Sequence, residues 1–161
     1  ITGHLVLSTL HTNNAPGAIT RLIDMNIEPF LISSAVIGII SQRLVRKLCP
    51  FCKKEYAASE ELKRTITDLL PPDTGELILA KPQSCEKCKN LGYTKRTGIF
   101  EILTMSDELR DLTLKKADEV ALSRLAISQG MRTLRASGVK KALEKVTSLE
   151  EVMRVAFLEE A

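Results

Sequence analysis

The sequence predicts an α/β protein with a metal-binding insert, and three features indicate this fold class. Residues 4–10 form a short, mostly apolar run that is typical of a buried strand in a parallel sheet. From Ser106 onward, apolar residues recur with helical spacing. Between these regions lie all four cysteines of the chain, in two C-x-x-C pairs: Cys49 with Cys52, and Cys85 with Cys88.

The two cysteine pairs carry the strongest chemical signal in the chain. Each pair can place two thiolates on one turn of backbone, and two such pairs complete a four-sulfur zinc shell. Residues 53–84 separate the pairs by more than a usual zinc ribbon does, so we expect the insert to contain a helix and a hairpin. A disulfide pair, a redox-active C-x-x-C motif and unpaired thiols are the alternatives.

Composition limits the class of protein. The 161 residues are 44% hydrophobic and 27% charged, which is typical of a globular protein with one ordinary core, or a modest core plus a part held by metal. No apolar run approaches the roughly 20 residues of a membrane-spanning helix. Ile1 is not a natural start and no signal peptide follows it, so we expect a piece of a longer, cytoplasmic protein.

The net charge of +3 is small, but basic residues cluster around the cysteines. Such a patch suits a phosphate, an acidic partner or an anionic membrane surface. Alternatively, these side chains balance the negative charge of a zinc tetrathiolate. With no Trp and only 4% aromatic residues, a base-stacking nucleic-acid surface is not expected. The basic residues are Arg43, Arg46, Lys47, Lys53, Lys54, Lys81, Lys87, Lys89, Lys95 and Arg96.

Two helices and then several strands are predicted after the N-terminal run. Residues 15–25 have the pattern of an amphipathic helix. Pro29 can begin a second, buried helix that extends to about Ile40. Residues 42–48 suit a strand or an extended helix end, and residues 77–80 and 96–103 suit strands.

Polar side chains mark the starts of the remaining helices. Ser59 begins a helix inside the insert that a turn at residues 71–75 ends. Ser106 and Asp118 begin two helices of the C-terminal region, and a third covers residues 133–146. Its interior Gly138 predicts close packing or a bend. A capping box at residues 147–150 begins the last helix, which Phe157 helps to line.

Residues 11–14 follow the predicted first strand with His, Thr, Asn and Asn. In open α/β sheets ligands bind at the carboxyl ends of strands, so this run is well placed to sense a phosphate. The simpler alternative is that Asn13 or Asn14 caps the next helix, with Pro16 in its first turn, and that His11 is a turn residue.

Five separated segments together resemble one family. They are Thr-Gly-His-Leu-Val-Leu-Ser-Thr-Leu-His-Thr-Asn at 2–13, Ala-Ile-Thr-Arg-Leu at 18–22, Gln-Arg-Leu-Val-Arg-Lys-Leu-Cys-Pro-x-Cys at 42–52, Arg-Thr-Gly-Ile-x-Glu at 96–101 and Gly-Met-Arg-Thr-Leu-Arg at 130–135. Their order and content resemble the hexameric secretion ATPases of type II secretion and type IV pilus assembly. The likeness extends over nearly the whole chain.

The resemblance implies roles for the N-terminal run, which matches the family's His box. His11 matches its characteristic histidine, a candidate sensor of the nucleotide's γ-phosphate, and His4 matches an earlier histidine. Thr9, Thr12 and Asn13 would support the hydrogen bonding of His11.

Arg96 is the candidate for a basic residue that reaches a nucleotide, since a fixed charge and planar donor fork suit an anion. The alternative for Arg96 is a carboxylate near the insert.

The resemblance also implies a fold and a domain order. The fold would be the C-terminal portion of a RecA-like ATPase core, with a tetracysteine zinc insert and a helical C-terminal subdomain. Residues 1–48 would belong to the core, 49–95 to the insert, 96–104 to a strand returning to the core, and 105–161 to the helical subdomain.

The implied function is that of a cytoplasmic ATPase, using ATP and magnesium, which powers type II secretion or pilus assembly as a homo-hexamer. It would work at the inner membrane through a platform of partner proteins and without nucleic acid. The chain contains no G-x-x-x-x-G-K-[ST] loop, and the acidic magnesium-associated segment expected before Thr2 is missing, so it should not hydrolyse ATP alone. The alternatives are a free-standing zinc-binding interaction module and a nucleic-acid adaptor.

Overall fold

The computed structural model describes residues 3–69 and 76–156. The turn predicted at residues 71–75 and Phe157 lie outside them. The elements are α1 (Ala15–Asp24), α2 (Pro29–Ala35), β1 (Gly38–Leu48), β2 (Lys54–Ala57), α3 (Glu60–Ile66), β3 (Ile78–Lys81), β4 (Tyr93–Thr104), α4 (Asp107–Leu114), α5 (Glu119–Ser128), α6 (Leu134–Leu143) and α7 (Leu149–Ala156). In this part of the chain, no helix combines the length and apolar character needed to cross a membrane.

Helices and two small sheets make this an α/β protein. β1 and β4 form one two-stranded sheet, and β2 and β3 form another. The second sheet is antiparallel, with Lys54 opposite Lys81 and Ala57 opposite Ile78. The strands predicted at residues 77–80 and 96–103 are thus confirmed as β3 and β4, and so is the helix predicted to begin after Ser59.

Two compact units divide the chain. The first contains Ile1–Ser41 and Phe100–Thr133, and the second contains Gln42–Ile99 and Leu134–Ala161. The sequence places all residues after 105 in one helical subdomain, but the structure puts α4 and α5 in the first unit and α6 and α7 in the second. The reason is that α6 and α7 bury their apolar sides on the cysteine-containing insert.

The first unit packs four helices around the end of β4. Its core joins residues of α1, α2, α4 and α5 to Leu103 and Met105, which are 0% and 7% exposed. The core members are Ala15, Ile19, Ile32, Leu103, Met105, Leu109, Leu122 and Ala126.

The second unit has its own core, formed by the hairpin of β2 and β3, α3, α6 and α7. Its members are Ala58, Ile66, Leu77, Leu79, Val139, Ala142, Leu149 and Val152. Gly138 lies where α6 meets α7, and a Cβ atom there would be 2.5 Å from Val152 Cγ1. The close packing predicted at Gly138 is therefore confirmed.

The caps predicted for four helices are confirmed. Asn14, not Asn13, caps α1 by accepting a hydrogen bond from the Gly17 N–H at 2.8 Å. Ser59, Ser106 and Asp118 cap α3, α4 and α5 in the same way. Each cap satisfies an N–H that the helix itself leaves unpaired.

The N-terminal run does not form the predicted buried strand. Residues 4–12 have no regular secondary structure, and Leu5, Val6 and Leu7 are 74%, 78% and 88% exposed. A strand in the middle of a parallel sheet needs partners on both sides. Among the described residues the two sheets contain only β1 to β4, so nothing in this part of the chain pairs with it.

The second helix is shorter than predicted. α2 ends at Ala35, and Gly38 begins β1, so Ile39 and Ile40 lie in a strand. β-branched side chains and a glycine favour extended backbone here over helix. Burial was also overestimated, since Phe30 is 59% exposed and Ile40 66% exposed.

The last helix begins one residue later than its predicted cap implies. Ser148, and not Thr147, accepts the Glu151 N–H at 3.2 Å. Thr147 instead donates its hydroxyl to the Arg46 carbonyl at 2.7 Å. Glu151 is therefore the residue three positions after the cap, and its carboxylate accepts hydrogen bonds from Arg46 and Arg154.

Candidate functional site

The four cysteine sulfur atoms meet in one cluster. All four Sγ atoms lie within 4.8 Å of one another. Three pairs are tighter: Cys49 to Cys85 at 3.9 Å, Cys52 to Cys88 at 3.8 Å and Cys85 to Cys88 at 3.6 Å. Tetrahedral bonds of about 2.3 Å to zinc would place sulfur atoms about 3.8 Å apart. The four thiols can therefore hold a metal ion with little movement, and no disulfide joins them.

Backbone hydrogen bonds connect the two cysteine pairs. The Cys49 N–H donates to the Gly92 carbonyl at 2.9 Å, and the Gly92 N–H donates to Cys88 Sγ at 3.2 Å. Gly92 has a φ of +74°, and a Cβ atom there would be 2.5 Å from the Pro82 Cβ. Both the left-handed backbone and the close approach require glycine at this position.

The cluster favours ionisation of one thiol. Burial disfavours the charged form of Cys88, but hydrogen bonds from Gly92 and from its cysteine neighbours hold its pKa at about 6. Burial and the neighbouring thiols raise the pKa of Cys52 to about 12. A thiolate is the form that binds metal.

The lysines around the cluster do not contact its sulfur atoms. Lys53 Nζ donates to the Lys145 carbonyl at 2.9 Å, and Lys87 Nζ lies 3.8 Å from the centre of the Phe51 ring. Among the described residues, no lysine or arginine side chain forms a hydrogen bond with a cysteine. If basic side chains offset the negative charge of a tetrathiolate, they do so by long-range electrostatic attraction and not through hydrogen bonds to the sulfur atoms.

The loop between α6 and α7 is bound to the first cysteine pair's segment. The Leu48 N–H donates to the Val146 carbonyl at 2.9 Å. Lys145 Nζ also pairs with Glu55 Oε2 at 2.6 Å. The four cysteines are thus embedded in the second unit and do not lie on a detached loop.

A buried carboxylate next to this segment was not predicted from the sequence. The Glu151 side chain is 0% exposed and pairs with Arg46 Nη2 at 2.6 Å and Arg154 Nη2 at 2.8 Å. The Arg46 backbone N–H at 3.1 Å and Arg154 Nε at 3.0 Å also donate to this carboxylate. Arg46 also stacks 4.1 Å from the centre of the Tyr93 ring. The available signal was the position of Glu151 beside Val152 on the apolar side of α7, with Arg154 one turn away.

Glu151 should make the second unit sensitive to acid. Burial opposes its ionisation, yet hydrogen bonds from Arg46 and Arg154 hold its pKa at about 2, below its ordinary value of 4.5. A lowered pKa stabilises the fold above pH 4.5, and this contribution is lost as pH falls from 4.5 through about 2. The difference corresponds to about 3 kcal/mol. Urea unfolding between pH 6 and pH 2 measures it.

The control for this acid sensitivity is Glu151→Met, which should lose most of the dependence in that range. An identical pH dependence in both proteins would assign the acid sensitivity to other groups.

The residues of the predicted His box all belong to the first unit and lie in a segment without regular secondary structure. His4, Thr9, His11 and Asn13 are exposed, and Thr12 is half-buried and donates its hydroxyl to the Asn14 carbonyl at 3.1 Å.

Arg96 belongs to the second unit, where it is exposed on β4. The ion pairs of the described residues do not include it, so the alternative carboxylate partner for Arg96 finds no support there.

Comparison with known proteins matches residues 1–154 to the family model described as Type II/IV secretion system protein. The chain is 49% identical to the type II secretion system ATPase E of Vibrio cholerae, over 96% of this chain and 30% of that protein. It is 48% identical to the type II secretion system protein E of Pseudomonas aeruginosa, with the same coverage.

The type IV pilus assembly ATPase PilB of Myxococcus xanthus is 43% identical over 95% of the chain and 27% of its own length. The chain therefore spans less than a third of these relatives. Both the family model and the relatives cover almost all of it, which confirms the resemblance carried by the five sequence segments: the chain belongs to the Type II/IV secretion system protein family.

Proposed function

We propose that this chain is the distal part of a cytoplasmic hexameric ATPase that powers type II protein secretion or type IV pilus assembly by ATP hydrolysis. One observation carries the proposal: 95–96% of the chain aligns with relatives that bear these names, at 43–49% identity, while covering only 27–30% of them. The missing G-x-x-x-x-G-K-[ST] loop means that the chain alone would not cradle the phosphates. Hydrolysis therefore belongs to the complete protein.

The exposure of the N-terminal run supports a RecA-like core completed by other parts of the complete protein. Leu5, Val6 and Leu7 are apolar and at least 74% exposed, which is a costly arrangement in water for consecutive side chains. In the complete protein this run would be a buried strand of the core sheet. The stable helical part that follows, α1, would then hold the end of that strand.

His11 would sense the γ-phosphate from the end of that strand. A ring N–H is a suitable donor to a phosphate oxygen, and its exposure leaves it accessible. Thr9, Thr12 and Asn13 would support it, with His4 in a secondary position. Arg96 supplies a fixed positive charge and a planar donor fork for the same ligand, and its exposure on β4 suits a role across a subunit interface.

The tetracysteine cluster would hold a structural zinc ion. Three of the sulfur separations, at 3.6–3.9 Å, fit a tetrahedral shell, and four cysteine ligands leave no open position for a substrate. When bound, zinc would supply stability to the second unit and no catalytic step. Cys49, Cys52, Cys85 and Cys88 are its ligands in this proposal.

The partners follow from the same family membership. The complete protein would form a homo-hexamer on the cytoplasmic face of an inner-membrane secretion or pilus assembly platform. ATP and magnesium would bind in the complete protein, and no nucleic acid would be required.

The test of this function is His11→Ala in the complete protein. Loss of a hydrogen-bond donor to a charge that develops during hydrolysis should lower kcat on the order of 10²-fold, measured by phosphate release. Ser128→Ala, on an exposed position of α5, serves as the control with unchanged turnover. If ATP turnover and nucleotide affinity both stay at the wild-type level, the sensor assignment of His11 fails.

A further inference from the structure

Two carboxylates from distant parts of the sequence hold the first turn of α1. The Ala15 N–H donates to Glu101 Oε1 at 2.7 Å, and Glu101 is 4% exposed on β4. Asn14 Nδ2 donates to Glu119 Oε1 at 2.7 Å, while Asn14 Oδ1 caps the Gly17 N–H. All of these residues belong to the first unit.

These contacts restrain the backbone that leaves the His box. Asn14 and Ala15 are each held by a carboxylate, and Thr12 is tied to the Asn14 carbonyl. Gly17 completes the arrangement, because a Cβ atom there would be 2.9 Å from Asn14 Oδ1 and 3.0 Å from Glu119 Oε2. Glu101 and Glu119 therefore hold the two residues that directly follow residues 11–13.

Glutamate suits this position for a chemical reason. The first N–H groups of a helix have no partner within the helix, and its dipole favours negative charge at that end. An apolar residue at position 101 would fill space but leave the Ala15 N–H without its acceptor. Glu101 also belongs to the Arg-Thr-Gly-Ile-x-Glu segment, so one segment carries both this carboxylate and Arg96.

The geometry points to Glu101 and Glu119 as positioning residues that set the placement of His11, Thr12 and Asn13 toward a bound nucleotide. This inference rests on the proposed function, in which His11 contacts the γ-phosphate. Neither glutamate would touch the nucleotide. Their effect would pass through the start of α1, whose shift would move the imidazole relative to the phosphate.

The experiment compares Glu101→Ala, Glu101→Gln and Glu119→Ala in the complete protein. Misplacement of the His box should lower kcat about tenfold in the two alanine variants, with the KM for ATP changed less than about twofold. Glu101→Gln keeps an oxygen acceptor and should recover most of kcat. Amide hydrogen exchange of residues 14–17 should be faster in both alanine variants, and this readout does not require activity.

Ser106→Ala is the matched control, because Ser106 caps α4 in the same unit without contacting the His box. It should lower the melting temperature and leave kcat per folded protein unchanged. If Glu101→Ala and Glu119→Ala behave like Ser106→Ala, the positioning role is overturned. Glu119 is exposed, so its variant should fold even where Glu101→Ala does not.

The two hypotheses fail in different ways. If His11→Ala lowers turnover but the glutamate variants do not, only the positioning role is wrong. If His11→Ala has no effect, the sensor is wrong, and the exchange of residues 14–17 still decides whether the glutamates fix the start of α1.

Discussion

Replacing Cys49 by serine is expected to remove the bound metal and to unfold the cysteine-containing part of the second unit. Elemental analysis should find one zinc ion per wild-type chain and almost none in the variant. Structural zinc contributes on the order of 10 kcal/mol in small zinc domains, and whole domains are stable by only about 5–15 kcal/mol. Losing even half of that contribution should leave residues 42–99 without a stable fold, as circular dichroism and limited proteolysis would show.

Ser84→Ala is the control for the cysteine variant, since Ser84 is exposed beside Cys85 and is not a ligand. It should keep its zinc and melt like the wild type. A Cys49→Ser protein that is metal-free and still stably folded in the insert would contradict a structural role for the metal. Wild-type protein purified without metal and with a disulfide between two of the cysteines would contradict the zinc site itself.

Removing both arginines that face Glu151 is expected to cost more stability than removing Glu151. Arg46→Ala with Arg154→Ala leaves a fully buried carboxylate without a charged partner, and such a loss costs about 3–5 kcal/mol. Glu151→Met fills a similar volume and returns two half-exposed guanidinium groups to water, so its effect should stay within about 1 kcal/mol. Urea unfolding at pH 7 gives both values.

The single variants complete this comparison. Arg46→Ala should cost more than Arg154→Ala, because Arg46 also stacks on the Tyr93 ring. The double variant should exceed the sum of the two, since the last remaining partner matters most to a buried charge. Strictly additive small losses, or Glu151→Met as the least stable protein, would show that the carboxylate does not depend on its arginines.

Features fixed by nearby residues could be predicted from the sequence. The caps at Asn14, Ser59, Ser106 and Asp118 depend on a side chain and an N–H three residues apart. The cysteine cluster was also predictable, because the spacing within each C-x-x-C pair is local and is typical of metal sites. The close packing at Gly138 was predictable because glycine inside a helix lowers helix stability unless a neighbouring element needs the space.

Features that depend on distant partners were not predictable in this way. The apolar run at residues 4–10 resembles a strand, but a strand exists only with neighbours to pair with. The pattern within α7 places Glu151 on the apolar side of the helix, but its partner Arg46 comes from β1, and nothing in α7 identifies it. The C-terminal helices divide between two units because α4 and α5 pack on one core and α6 and α7 on the other. The apolar periodicity of a helix shows which side is buried but not which core buries it, so the sequence did not predict this division.

The second unit draws its core from two stretches far apart in the chain, and this has a consequence for synthesis on the ribosome. All four cysteines have been made once Cys88 is complete, whereas the core also needs α6 and α7, up to Ala156. Contacts between such distant residues form slowly, because a long loop must close first. A metal ion captured by the nascent chain would join the cysteine pairs early and shorten the search that the last two helices have to complete.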